Sequence, residues 1–395
     1  MLATFTRRAL HGQNCKLASS FMARCYAAQP AVQEQAGLEN PAAVLYSAND
    51  LRYEHHHIPT DIPPGHVRVQ MRAVGICGSD VHFYKKGRIA DFVVEQPMVI
   101  GHESAGDVVG MGEGVSRLQM GARVALEPGI PCWGSKVARK GRYNLCPDVK
   151  FFATPPVHGS LARYVDHPED FCFELPGELS YEEGAMIEPL SNGIHACRRA
   201  GVEPGKTVAI LGAGPMGLNA LVAAQAFGAT KIVITDVRED NLPLAERLGA
   251  KFPLLTPPSM KIEEAADLIT KLLPPDGPDC VIDCAGYQST ILTGMQALAR
   301  GGTFVLVGMG SEACNCFPSM TLVSKEADVK GCFRYTNTYP MAIEMLQEGK
   351  IDVKPMITHR FGFTGRDEVI AGFECAANAA RTKSIKVMFN LPAEA

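Results

Sequence analysis

TVAILGAGPMG, residues 207–217, decides the fold. An uncharged apolar run ends in three glycines, Gly212, Gly214 and Gly217, and opens into a helical pattern, the strand, turn and helix that a dinucleotide site requires. The first glycine allows the tight turn, the second lets a pyrophosphate approach the backbone, and the third lets helix and strand pack closely. The phosphates then sit at the positive end of the helix. Glycine-rich turns are common, so the triplet alone identifies nothing. Its context does: the next apolar strand, KIVITD (231–236), ends in Asp236, nineteen residues after Gly217. A carboxylate there accepts hydrogen bonds from the adenosine ribose hydroxyls and repels a 2′-phosphate, so NAD is expected over NADP, with Arg238 close enough to blur the preference.

The same region, 207–230, carries no charged residue and has the length of a bilayer span. Gly212, Gly214, Pro215, Gly217, Asn219, Gln225 and Gly228 interrupt it, and it reads as a buried strand and turn rather than a lipid-facing helix. Further apolar strands at CVIDCAG (280–286) and GTFVLVG (302–308) alternate with helical pattern, which predicts right-handed βαβ units and a parallel sheet from about residue 185. Upstream, HVRVQMRAVGI (66–76), VVGMGEGV (108–115) and ARVALEP (122–128) predict a β-rich domain to about residue 170. A helix near 341–346 and a strand near 385–389 close the chain, in a segment expected to rejoin the first domain. The run His55–His57 precedes a proline-rich turn and reads as surface loop rather than metal site.

Composition bounds the chemistry. With 395 residues, 46% hydrophobic and 20% charged, the chain supports two or three domains with real cores. Lys and Arg total 38 against 42 Asp and Glu, so the net charge of −4 supplies no basic field for a nucleic acid. Thirteen cysteines, an odd and sparse set, point to reduced thiols rather than a disulfide framework. Residues 1–33 are basic, with Arg7, Arg8, Lys16 and Arg24 and no acid before Glu34, and rich in Ala, Ser and Thr. The segment reads as a mitochondrial targeting peptide or as an ordinary tail, which leaves mitochondrion and cytosol as the two addresses.

Two motifs upstream, GICGSDVHFY and VIGHESAG, offer Cys77, His102 and Glu103: one thiolate, one imidazole and one carboxylate. All three are acceptable zinc ligands and together too few to close a structural site, so an open, catalytic position is implied. Glu188, in MIEPLSNGIHACRR just ahead of the dinucleotide segment, either ligates the metal directly or holds a bound water. As a bland alternative it serves as a helix-start carboxylate.

GHESAGDVVGMGEGV resembles the zinc signature of the medium-chain dehydrogenases, and GICGSDVHFY, GRYNLCPDVKFFATPP, EEGAMIEPLS, GIHACRRAGV and GCFRYTNTYP resemble the sorbitol (polyol) dehydrogenases among them. The likeness runs from about residue 40 to 390. It implies an α/β protein with a GroES-like β-rich catalytic domain (34–190), a Rossmann doubly wound parallel-sheet domain (191–335), a catalytic return segment (336–395), and a homotetramer. Carried over, Cys77, His102 and Glu103 resemble the catalytic zinc set and Glu188 the carboxylate that holds the zinc water. Ser79 and His82 stand at the relay positions, where for His82 a surface or ribose-contacting role is the other reading. Phe83, Glu188, Arg334 and Tyr335 stand at substrate positions; Met216, Asp236, Asn241, Phe333 and the backbone of Met309, Gly310 and Ser311 stand at cofactor positions. The implied reaction is oxidation of a polyol secondary alcohol to a ketose, D-sorbitol to D-fructose in the leading case. Xylitol, L-arabinitol and L-threonine remain rival substrates, and a zinc-free quinone reductase or non-catalytic NAD-binding protein is the rival class.

Departures from the family carry information as well. Where relatives bind a structural zinc with four cysteines, this chain has Cys132, Ser135, Ala138 and Cys146, and two thiolates cannot close a tetrahedral site. Phe83 replaces a substrate-touching tyrosine, with neighbouring Tyr84 the expected substitute. Asn241 replaces an arginine near the ribose, with Arg238 the expected substitute. Asn192 replaces a valine near the nicotinamide position, and nothing in the sequence accounts for it.

Overall fold

A computed structural model describes residues 38–310 and 313–393. The expected targeting segment 1–33 and the expected cofactor contact Ser311 lie outside the described residues.

The first sheet grows around His66–Ile76, an eleven-residue strand buried along most of its length. Across the sheet the strands run Cys172–Glu174, Arg123–Leu126, Glu103–Met111, His66–Ile76, Lys386–Asn390 and Ile357–Gly362, with Tyr164–Pro168 also paired to His66–Ile76. The carboxy-terminal strand Lys386–Asn390 enters this sheet beside His66–Ile76, Val387 opposite Ile76, so the chain's last segment returns to its first sheet. The strand expected at 108–115 instead occupies Glu103–Met111. Gly112 still donates across to the His66 carbonyl, and a turn at 113–114 then ends the strand, with a side chain at Gly112 lying 2.1 Å from the Pro63 carbonyl oxygen.

In the second sheet six strands run parallel: Phe252–Leu255, Lys231–Asp236, Thr207–Leu211, Cys280–Asp283, Thr303–Leu306 and Asp328–Gly331. Numbered along the chain this is the order 3-2-1-4-5-6, whose reversal between the first and fourth strands opens the crevice where dinucleotides bind. The charge-free run 207–230 divides into strand Thr207–Leu211 and helix Pro215–Ala226. Among the described residues no helix is long and apolar enough to cross a membrane.

Helix Tyr181–Ala200 joins the two sheets. A reciprocal cap starts it, Glu183 N–H donating to Ser180 Oγ at 3.2 Å and Ser180 N–H donating to Glu183 Oε2 at 2.9 Å. Gly201, at φ 73°, ends it in the left-handed conformation that glycine adopts without strain. Gly184 packs against Ala105 of the first sheet, and Gly193 meets the backbone of Asn219 so closely that any side chain there would lie 2.6 Å from it. The domain boundary expected at 190/191 therefore falls inside a helix that both halves share.

Candidate active site

Cys77 sits at the turn between strand His66–Ile76 and helix Gly78–Lys86, and His102 and Glu103 sit where strand Glu103–Met111 begins. Asp80, fully buried, ties the two turns: its carboxylate accepts from Cys77 N–H at 2.9 Å and from Gly101 N–H at 3.2 Å. One donor atom from each of Cys77, His102 and Glu103 lies within 4.8 Å of the others, close enough for one ion between them. His102 is buried, its Nδ1 3.4 Å from Asp80 Oδ1 and without a completed hydrogen bond. Burial works against an imidazolium here, but the Asp80 carboxylate and the Cys77 thiolate outweigh it and raise the His102 pKa. The pocket thus attracts positive charge. Its thiolate, imidazole and carboxylate are zinc donors, and three of them leave a coordination position open.

Glu103 is held by more than its strand. Opposite it in register is Gly75, where a side chain would come 2.2 Å from Glu103 Oε2, so the carboxylate lies over bare backbone. The buried Lys386 ammonium donates to both Glu103 oxygens at 2.6 Å and to the Ile76 carbonyl at 3.1 Å. Each carboxylate oxygen has a second lone pair, so the pair does not exhaust the donor that faces Cys77 and His102.

Glu188 comes from the shared helix Tyr181–Ala200 and is buried. Burial pushes its carboxyl up, the His102 charge pulls it down and Glu103 pushes it up again. Beside it the Tyr335 hydroxyl is buried without an aligned hydrogen-bond partner. Arg334 takes a left-handed backbone, φ 51°, which aims its guanidinium over the Phe151 ring at 3.8 Å. Burial lowers its pKa to about 10, opposed by Tyr335 and Glu188. Arg334 and Tyr335 line one small cavity together with Glu127, Tyr143, Asn144 and Phe151. Tyr143 donates to Glu127 at 2.6 Å and accepts from Asn337 N–H at 2.8 Å, while Asn144 donates to the Phe333 carbonyl at 2.6 Å. These bonds hold the loop that presents Arg334 and Tyr335. Sequence reasoning missed Glu127, Tyr143, Asn144, Phe151 and Lys386 as site residues; the segment GRYNLCPDVKFFATPP held three of them without marking a role.

At the crevice of the parallel sheet, Gly212 has φ 102° and Gly217 packs so tightly that a side chain would lie 1.7 Å from the Gly212 carbonyl oxygen. Gly214 caps helix Pro215–Ala226 with open space around it, and half-buried Met216 follows in the first turn. The cradle is bare backbone at a helix start, which fits a pyrophosphate. The Asp236 carboxylate accepts from Ala213 N–H at 2.8 Å, Arg238 N–H at 2.8 Å and the Asn241 amide at 3.1 Å. Across the crevice Gly286 and Gly308 abut, a side chain at Gly286 lying 2.4 Å from the Gly308 carbonyl oxygen. That contact positions exposed Met309 and Gly310, and exposed Phe333 lies beyond the last strand.

Several expected substitutes are not available. The Tyr84 hydroxyl donates to Glu374 at 2.7 Å, so it does not replace the hydroxyl that Phe83 lacks, and Phe83 itself is buried in the apolar core of the first sheet. The Arg238 guanidinium is committed to Asp240, at 2.7 and 3.0 Å, so the side chain that supports Asp236 is Asn241, while Arg238 contributes only its backbone N–H. Ser79 and His82 lie on helix Gly78–Lys86, Ser79 half-buried and His82 exposed, and among the described residues neither forms a side-chain hydrogen bond to the metal cluster. In the lobe, Cys146 Sγ accepts from Cys132 N–H at 3.3 Å and Ser135 Oγ accepts from Ala138 N–H at 3.2 Å. Hydrogen bonds close that lobe, and no four-donor cluster is found among the described residues. Among the described residues, His55–His57 join no group of three metal-donor side chains; the His56 ring packs on His158 at 4.4 Å.

Residues 63–177 match the alcohol dehydrogenase GroES-like domain, and residues 215–348 match the zinc-binding dehydrogenase domain. A sorbitol dehydrogenase from Arabidopsis thaliana is 51% identical over 355 residues, 89% of this chain and 96% of that protein. An L-idonate 5-dehydrogenase from Vitis vinifera is 46% identical over 90% of this chain and 96% of its own length. A zinc-binding dehydrogenase from Sinorhizobium meliloti 1021, solved bound to NADP, matches with TM-score 0.80 and 29% identity over 89% of this chain and 99% of that one.

Proposed function

The chain belongs to the zinc-binding dehydrogenases, in the sorbitol dehydrogenase group, and from that premise we propose that it oxidises D-sorbitol to D-fructose. It is an NAD- and zinc-dependent oxidoreductase acting on a polyol secondary alcohol. The observation that carries the reading is the convergence of Cys77, His102 and Glu103 on one point beside Glu188, with Arg334 and Tyr335 on the adjoining loop.

When bound, zinc supplies a Lewis acid at the reacting hydroxyl and NAD supplies the hydride acceptor. Cys77, His102 and Glu103 would hold the metal, and the glycine cradle with Asp236 would hold the dinucleotide. Glu188 is the buried carboxylate placed to take a proton or hold a water at the reacting oxygen. Arg334 and the Tyr335 hydroxyl offer donors to the remaining hydroxyls of a polyol, while Phe151 fixes the guanidinium plane and excludes water. Ser79 and His82 complete the reading as proton-relay positions at the exposed edge. An Asp236 carboxylate held by three donors opposes a 2′-phosphate, which favours NAD over NADP.

A panel of D-sorbitol, xylitol, L-arabinitol, L-threonine and L-idonate with NAD tests the substrate. Sorbitol is expected to give the highest kcat/KM, and a clear lead for any other compound overturns that choice. L-idonate joins the panel because a relative 46% identical bears its name.

Self-association into a homotetramer is the assembly we infer. Exposed Phe317, Met320, Val323 and Val329 lie close in sequence, on or before edge strand Asp328–Gly331, and are apolar side chains that a second copy would cover. Scattering mass in solution tests it, and a monomer at micromolar concentration contradicts it. Mitochondrial import is supported by the basic, acid-free composition of residues 1–33. Fusion of that segment to a fluorescent reporter tests it, and a diffuse cytosolic signal contradicts it.

A further inference from the structure

Lys386 is a buried cation that no step of the reaction uses. Its side chain is 3% exposed, and its three N–H donors go to Glu103 Oε1, Glu103 Oε2 and the Ile76 carbonyl. Both partners border the metal cluster: Glu103 belongs to it, and Ile76 immediately precedes Cys77. The geometry is built from backbone register, since Val387 lies opposite Ile76 and Glu103 lies opposite Gly75. An ion pair whose only task was to join strands needs no such address. This one spends both carboxylate oxygens of a metal donor on an ammonium, and Gly75 leaves the room for it.

The charges decide what that ammonium does. The Glu103 carboxylate is buried, with the Lys386 ammonium 2.6 Å from each of its oxygens and the buried Glu188 close by. Without metal, burial of the Glu103 charge is costly unless a cation answers it. With a divalent ion present, a fixed ammonium on the same carboxylate repels it. We propose that Lys386 is a resident counter-cation of the zinc site: it stands in for the metal while the chain is zinc-free, and it weakens zinc binding. The two effects are one quantity, because stability that Lys386 gives the zinc-free state in excess of the loaded state is subtracted from zinc affinity.

This inference rests on the zinc reading of Cys77, His102 and Glu103, and the test separates the two. Full-length protein, its Lys386→Met variant and its Lys386→Arg variant are stripped of zinc and titrated against a competing chromogenic chelator, and both metal states are melted. Lys386→Met is expected to bind zinc roughly tenfold more tightly or better, and to lose more melting temperature in the zinc-free state than in the loaded state. Lys386→Arg, which keeps the charge, is expected to stay near wild type. If Lys386→Met does not fold without zinc, Lys386→Gln carries the same expectation while keeping one donor to Glu103. Unchanged or weaker zinc binding by the uncharged variant, or equal melting losses in both states, overturns the proposal and leaves Lys386 a structural or orienting group. Failure of wild-type protein to bind zinc overturns the zinc reading as well.

Discussion

The Asn192 side-chain amide lies 3.4 Å from Glu188 Oε1 and 3.3 Å from the Glu188 carbonyl oxygen, one helical turn back along Tyr181–Ala200. A position that sequence left without explanation thus touches the carboxylate nearest the chemistry. Its amide is a neutral donor at long range, and such a bond is worth about 1 kcal/mol net. Asn192→Val should therefore lower kcat by up to roughly tenfold and displace the pH–rate profile, with the KM for NAD little changed. Steady-state kinetics across pH checks it; a profile superimposable on wild type removes Asn192 from the site.

Asp236 holds three donors at the end of its strand, and Asn241 is one of them. Asp236→Asn removes the charge while keeping the shape. The preference for NAD over NADP should fall by about tenfold or more, since both the ribose bonds and the repulsion of a 2′-phosphate weaken. The ratio of kcat/KM for the two cofactors measures it.

Burial pushes the Glu127 carboxyl from 4.5 up to about 7, with the Tyr143 hydrogen bond opposing and Glu188 adding to the rise. Folded chain therefore binds this proton more tightly than unfolded chain. The resulting stability is fully present below about pH 4.5 and is lost as pH rises to about 7. In zinc-depleted protein Glu127→Gln should thus gain on wild type across that window, by about 3 kcal/mol if the whole shift is expressed. Denaturant midpoints at several pH values check the sign, and a constant difference would remove the titration.

How much of this was legible follows from distance along the chain. The turn at 207–217 and its flanking strands were readable because glycine spacing and apolar period are local signals. Cys77, His102 and Glu103 were readable by chemical type and by likeness to a family, and the sheet register then brings their donors together. Lys386 was not, because its partner Glu103 is 283 residues away and a lone lysine opening a strand has no local mark. The Arg334 stack on Phe151 needs a backbone at φ 51°, which no residue type announces. Nor could sequence show that the boundary at 190/191 lies within one continuous helix, Tyr181–Ala200, whose apolar residues serve both halves at once.

In the lobe, Cys132 N–H donates to Cys146 Sγ and Cys146 S–H donates to the Cys132 carbonyl oxygen. Zinc content should therefore stay near one per chain in Cys146→Ala, which is expected to cost about 1–2 kcal/mol of stability through the lost buried thiol. Elemental analysis of both proteins checks it, and a fall of one zinc on this substitution would locate a metal in the lobe.

The account's central claim is that Cys77, His102 and Glu103 hold the zinc on which polyol oxidation depends, apart from the dinucleotide cradle. The most direct measurement compares zinc content, NAD binding and NADH formation from D-sorbitol in wild type and Cys77→Ser. Wild type is expected to carry about one zinc per chain and to form NADH, while the variant loses zinc and turnover and keeps its NAD dissociation constant. A Cys77→Ser protein that oxidises sorbitol at the wild-type rate would contradict it.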